Sequence, residues 1–351
     1  MGGDPQPAYS YNVEDRSVLL PYYKRYIWEP LLAHLPASVT PNTLSILGNV
    51  GSVFAFIVLL FATPEQPWVF WLPALGTFAY LCLDNMDGTH ARRTNQSSPL
   101  GEFIDHWFDS FNTGFLTLGL YFAGRLPPEQ ILGVVAATNV AYFATMWEQR
   151  HTAYIRFGRG GQVEGVTVIV GVYIAIAVLG HEAICQTRLF GFLSVIELTA
   201  VLLVFAYVLT VIGSAVRTRR AFAEWLPLLV VMALIGAWYG VGKLGFFPAA
   251  SLLLLANAAL GGRHVIARVL ERPYPSVDVG LLAGLALGVG ASLLLDLSAQ
   301  IQSFLGWGVA AYVVGRLAFD FITTVHALRR FLRPGELLER ALLMGRPSRH
   351  V

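Results

Sequence analysis

The amino-acid sequence predicts an all-α integral membrane protein with about ten transmembrane helices, an amphipathic interfacial helix before the first, and both termini in the cytoplasm. Three observations predict it. Hydrophobic residues make up 55% of the chain and charged residues 13%, where soluble domains carry about 25% charged residues. Apolar runs of roughly 17–24 residues recur between short polar connectors, and that length suits a helix crossing about 30 Å of hydrocarbon. Finally, the 24 lysines and arginines are distributed unevenly. Only Arg125, Arg188 and Lys243 fall on one side, Arg316 lies inside the last run, and all the others lie on the side that the positive-inside rule makes cytoplasmic.

Residues 1–40 are expected to stay outside the bilayer, and they carry no cleavable signal pattern. Within them Ser17–Leu35 mixes Val18, Leu19, Leu20, Ile27, Trp28, Leu31 and Leu32 with Lys24, Arg25 and tyrosines, which reads as a helix in the headgroup layer or packed on the bundle. Pro41 opens the first span, where its missing N–H costs nothing. The spans follow at 41–62, 67–89, 101–124, 128–147, 163–180, 193–214, 222–242, 245–260, 279–297 and 303–326. Lipid-embedded backbone must satisfy its own hydrogen bonds, so these are helices and not open strands. In the ninth, Gly280, Gly284 and Gly288 share one face, which suits close packing within the chain or a homodimer. Residues 327–351 read as a basic cytoplasmic tail. Cys82 and Cys185 fall near opposite membrane faces, so no disulfide is expected.

One window breaks the membrane pattern: Asp84 to Asp109 reads DNMDGTHARRTNQSSPLGEFIDHWFD. Carboxylates within membrane helices are costly and are functional by default. Asp84 and Asp87 share one helix face, and Asp105 and Asp109 share a face of the next, with Gly101 a turn earlier. The connector is short, so the two pairs are expected to converge. Hard carboxylate oxygens without thiols suit Mg²⁺, Mn²⁺ or Ca²⁺, and four carboxylates suffice for two such ions, the arrangement that clamps phosphoryl oxygens during displacement. Gly88 and Gly101 leave room for a diphosphate, and Arg92 and Arg93 stand at the rim to take phosphate charge. A cation or proton pathway in a transporter is the competing reading, against which stands the position near one membrane face.

The window matches D-x2-D-G-x2-A-R-x8-G-x3-D-x3-D at Asp84, Asp87, Gly88, Ala91, Arg92, Gly101, Asp105 and Asp109. This resembles the CDP-alcohol phosphotransferase family. The runs Ala91–Asn95, Ser97–Glu102, Asp105-His106, Pro41-Asn42-Thr43, Trp147-Glu148 and His151-Thr152 are similar to its choline/ethanolamine phosphotransferase branch. The likeness is close from Tyr22 to Val166 and, over the last five spans, a matter of layout.

The resemblance implies transfer of phosphoethanolamine or phosphocholine from CDP-ethanolamine or CDP-choline to diacylglycerol, with release of CMP, at a cytoplasm-facing site among membrane lipids. It implies two divalent cations, Mg²⁺ or Mn²⁺, on the four aspartates, and His106 as general base helped by Glu164. It further implies donor contacts from Asn42, Gly88, Ala91, Arg92 and Gly101. A histidine serving only to orient a ligand, with Asp109 as base, stays open, as does Glu164 as a helix-start glutamate favoured by the dipole.

The catalytic part is expected within 41–180 of a 41–326 membrane domain, with no nucleic-acid partner. Trp107-Phe108 stand where small residues are expected after Asp105-His106, and Thr89-His90 fill the positions between Gly88 and Ala91; both departures are expected to reshape the alcohol pocket or the acceptor path. A relative using CDP-diacylglycerol with inositol or glycerol phosphate, and an inactive binding relative, remain alternatives.

Overall fold

A computed structural model describes residues 12–220, 222–241, 243–275 and 277–331. The predicted tail beyond Phe331 and residues 1–11 lie outside them. Strand β1 (Asn12–Asp15) leads into a helical segment made of Leu20–Tyr23, a π-helical turn Lys24–Trp28, and Glu29–His34. Ten long helices follow among the described residues: α1 (Pro41–Phe61), α2 (Trp71–Thr94), α3 (Pro99–Ala123), α4 (Pro128–Thr152), α5 (Gln162–Leu179), α6 (Val195–Thr218), α7 (Leu226–Gly240), α8 (Phe246–Val269), α9 (Val279–Leu294) and α10 (Ala299–Phe331). Strand β2 (Tyr154–Phe157) sits between α4 and α5.

Seven of these helices, α7 taken together with the 3₁₀ turn Phe222–Trp225 before it, are long and apolar enough to cross a membrane. Helices α2 and α3 carry the aspartates and fall outside that group, and α9 is apolar but only 16 residues long. The last helix outruns its expected end at 326, continuing to Phe331.

Local chemistry accounts for the ends that shape the site. Thr40 caps α1, accepting from the Thr43 N–H, and Pro41 follows as its first helical residue. Helix α2 stops where Asn95 turns left-handed, at φ 56°. After three more residues Pro99 opens α3 behind a Ser98 cap. The short connector does not press α2 and α3 together. Both pack along α1 instead, and they face each other across a cleft. Helices α1 and α2 touch backbone to backbone: a Cβ on Gly76 would lie 2.6 Å from the Gly51 carbonyl oxygen.

The most buried long apolar helix is α8, with 83% of its most apolar window enclosed. It packs against α3, α4 and α10. Asn257 on α8 donates to the Ser110 carbonyl of α3 (2.8 Å), and Asn139 on α4 donates to the Leu253 carbonyl (2.7 Å). Helix α6 is the opposite case, with 11% of its most apolar window buried. The α9 glycines are used inside the chain: Gly280 faces Tyr312, Gly284 faces Val309 and Gly288 faces Trp238.

Near the start of α9, Arg263 pairs with Asp278 (2.6 Å) and Asp320 (3.4 Å), and Arg316 adds a contact to Asp320 (3.3 Å), tying α8 and α10 together. The N-terminal helical segment buries Trp28 and Leu32 on the bundle while Tyr22, Tyr26 and Leu31 stay exposed.

Candidate metal and transfer site

The carboxylate oxygens of Asp84, Asp105 and Asp109 lie within 4.8 Å of one another across the cleft between α2 and α3. Asp84 and Asp109 are held by neutral donors. Tyr80, one turn before Asp84, donates its hydroxyl to Asp109 Oδ1 at 2.8 Å, and Gln162 at the start of α5 donates to Asp84 Oδ2 at 3.0 Å. Asp87 accepts from the Ser45 hydroxyl of α1 at 2.5 Å. Among the described residues no lysine or arginine stands within ion-pair distance of these four carboxylates. Clustered carboxylates with no cationic partner, presenting hard oxygens, fit divalent cations.

A cavity of about 720 Å³ opens over this cluster. Asp84, Asp87, Gly88, Arg92, Asp105, His106 and Asp109 line it, together with apolar Leu116, Ala141, Met146, Ile169 and Leu203 and several threonines from α3, α4, α5 and α6. A second cavity of about 70 Å³ is bordered by Asn42, Ala91 and Gly101 and shares Asp87, Gly88, Arg92 and Asp105 with the first. The structure therefore brings all four aspartates, His106 and the five expected donor-contact positions to the walls of two adjoining spaces.

His106 is buried, with Nε2 3.6 Å from Asp105 Oδ2 and Nδ1 3.9 Å from Glu102 Oε1. Its backbone carbonyl accepts from the Tyr142 hydroxyl at 2.5 Å. Glu164 stands elsewhere. Its carboxylate accepts from the Ser17 hydroxyl (2.7 Å) and from the N–H groups of Val18 (2.6 Å) and Leu19 (3.2 Å), at the start of the N-terminal helical segment, and it is not in the cavity wall.

That contact anchors a strap that forms part of the cavity wall. Strand β1 pairs in parallel with β2, Asn12 opposite Tyr154 through Asp15 opposite Phe157, and Asn12, Val13 and Asp15 line the cavity. Burial raises the Asp15 carboxyl above its usual range and the Glu164 charge adds to this, while the Ser17 N–H works the other way. Arg156 on β2 joins Glu14 (3.2 Å) to Glu148 (2.9 Å), and Glu148 is gripped from α6 by Arg217.

Several expectations resolve differently. Arg93 donates to the carbonyls of Leu32 and Leu35, anchoring the N-terminal helical segment, and lines neither cavity. Trp107 and Phe108 turn from the cavity toward α10, where Phe321 lies 4.9 Å and 5.9 Å from their rings. They are packing residues, because their face of α3 meets α8 and α10. His90 is fully buried against the Val39 carbonyl (2.8 Å), which leaves Thr89 as the one departing residue in the cavity wall.

Sequence reasoning assigned no role to Tyr80, Ser45, Gln162 or Glu102. Tyr80 lies four residues before Asp84 on the same face, a signal that could have been read. Gln162 and Ser45 reach the site only through tertiary packing.

A sequence model described as CDP-alcohol phosphatidyltransferase matches residues 38–212. Cholinephosphotransferase 1 of Saccharomyces cerevisiae is 31% identical over 191 residues, covering 52% of this chain and 49% of that protein. Choline/ethanolaminephosphotransferase 1 of the same organism is 30% identical over 195 residues (52% and 49%), and cholinephosphotransferase 1 of Homo sapiens 34% over 171 residues (47% and 42%). The matches span less than half the length of these relatives.

Proposed function

We propose, from the premise that residues 38–212 make this chain a member of the CDP-alcohol phosphatidyltransferase family, that it transfers phosphoethanolamine or phosphocholine from a CDP-alcohol to the hydroxyl of diacylglycerol. The observation that carries this reading is the acidic cluster in the wall of a cavity that apolar side chains of α3, α4, α5 and α6 also line. A charged nucleotide donor and a lipid acceptor need those two environments side by side. The relatives named for choline and ethanolamine transfer support the choice of alcohol.

In this reading all ten long helices cross the membrane, both termini face the cytoplasm, and the site opens on that side. Asp84, Asp87, Asp105 and Asp109 hold two divalent cations, Mg²⁺ or Mn²⁺, which when bound neutralise the diphosphate and the departing phosphate. Arg92 and the walls bordered by Asn42, Gly88, Ala91 and Gly101 seat the nucleotide.

His106 takes the proton from the lipid hydroxyl as its oxygen attacks the β-phosphorus. The bond between that phosphorus and the bridging oxygen breaks, and CMP carries the oxygen away. General-base help of this kind is worth roughly 10²–10⁴-fold. Glu164 joins His106 only when its contacts with Ser17–Leu19 open.

The test is CMP release by the membrane-embedded protein. Diacylglycerol is supplied with CDP-ethanolamine or CDP-choline, and CDP-diacylglycerol with inositol or glycerol phosphate, each with Mg²⁺, Mn²⁺ or EDTA. Metal-dependent CMP from one of the first two donors, lost in Asp109→Asn, is the expected result. CMP only from CDP-diacylglycerol reverses donor and acceptor, and no metal-dependent release from any of them removes the reading.

A further inference from the structure

Helix α8 lies outside residues 38–212, yet one of its side chains reaches the wall behind His106. Arg268 Nε lies 2.6 Å from Glu102 Oε1, and Gln149 of α4 donates to the same oxygen at 3.0 Å. The Glu102 side chain is completely enclosed. It stands one turn before His106 on α3, with that oxygen 3.9 Å from Nδ1, while Asp105 Oδ2 is 3.6 Å from Nε2. The imidazole therefore sits between two carboxylates, one at the cation cluster and one backed by an arginine.

We propose that Glu102 and Arg268 are positioning residues that set the ring of His106, so that the second half of the chain takes part in the reaction through Arg268. The inference rests on His106 being the base. The Tyr142 hydroxyl pins the carbonyl of His106, so the freedom left to the residue is rotation of its ring. A carboxylate facing Nδ1 restricts that rotation and aims Nε2 at the cavity, as outer partners of catalytic histidines generally do.

Arg268 is needed because an enclosed carboxylate without a cation is strongly unfavourable. A merely adhesive role is already filled, since Asn257 joins α8 to α3 through the Ser110 carbonyl. Glu102 also borders the smaller cavity, so a direct contact with the donor is the alternative the experiment must separate.

The experiment measures kcat and donor KM for CMP release by the full-length, nanodisc-embedded chain. The variants are Glu102→Gln, Arg268→Met and Arg268→Lys, each alone and combined with His106→Ala, using whichever CDP-alcohol the unaltered protein consumes. The expected result is a roughly 10–100-fold fall in kcat for Glu102→Gln and Arg268→Met. Donor KM stays within about twofold, Arg268→Lys recovers most of the loss, and Glu102→Gln costs little further once His106 is gone, as coupled residues require.

A rise in donor KM at unchanged kcat overturns the proposal in favour of donor contact. Equal losses with and without His106 overturn it in favour of a general structural role. If Arg268→Met fails to assemble, Glu102→Gln decides alone, being almost the same size and still able to accept from Arg268. A His106→Ala protein as fast as the original overturns the base assignment itself, a result distinct from either failure above.

Discussion

Tyr80 and Asp109 join the two walls of the acidic cleft, hydroxyl to Oδ1 at 2.8 Å, although they come from different helices. The bond leaves the carboxylate's remaining lone pairs for a cation and fixes where they point. Tyr80→Phe should therefore keep the fold and weaken cation binding. The expected outcome is a roughly 10–100-fold rise in the Mg²⁺ or Mn²⁺ concentration that half-activates CMP release. An unchanged metal titration would show that Tyr80 serves only packing.

Replacing His106 tests the base directly. His106→Ala should lower kcat by roughly 10²–10⁴-fold, with donor binding by isothermal titration little altered. If turnover persists and Asp109→Asn alone abolishes it, Asp109 becomes the candidate base.

The aromatic stack beside the site makes a separate prediction. Trp107 and Phe321 lie 4.9 Å apart, and Phe321 also meets Phe103 at 5.5 Å. Phe321→Ala removes part of a core contact and should cost about 2 kcal/mol, below the full range for a wholly buried phenylalanine because Phe321 is half-buried. A thermal melt in detergent measures it. The preference between CDP-choline and CDP-ethanolamine should not change, because neither Trp107 nor Phe108 lines the cavity. A shifted preference would return them to the alcohol pocket.

The strap in the cavity wall makes a fourth. Glu164→Gln weakens a carboxylate that accepts three hydrogen bonds from Ser17, Val18 and Leu19, and Ser17→Ala removes one donor. Limited proteolysis should cut near residues 12–19 several-fold faster in both variants, with the larger effect in Glu164→Gln. Equal cutting rates would mean that the pairing of β1 with β2 alone holds the segment.

Much of this was legible in the sequence because it is local. Asp105 and Asp109 a turn apart, a Pro-opened helix after a serine cap, and apolar runs of membrane length are all short-range patterns. The convergence of the aspartates followed from them, although the reason given did not hold. Helices α2 and α3 face each other across a cleft set by their common packing on α1, a tertiary arrangement that a short connector does not specify.

What escaped the sequence depends on distant partners. Glu148, itself buried, and Arg217 form a two-point pair at 2.6 and 2.7 Å across 69 positions. Gln162 meets Asp84 across 78 positions, and Arg268 meets Glu102 across 166. Trp107 and Phe108 were misjudged for the same reason. Their spacing says that they lie on α3 beside His106, but only the position of α10 says which way they face.

The burial of α8 bears on how the chain can be divided. A fragment ending near residue 212 would contain Asp84, Asp87, Asp105, Asp109 and His106, and would look self-sufficient as a minimal enzyme. It would also strip the inner wall from α3 and α4, opening the Ser110 and Asn139 hydrogen-bonding groups to lipid and leaving Glu102 without its arginine. The half that carries those aspartates and the half that encloses it share one core, so a deletion series should lose the folded state abruptly and not module by module.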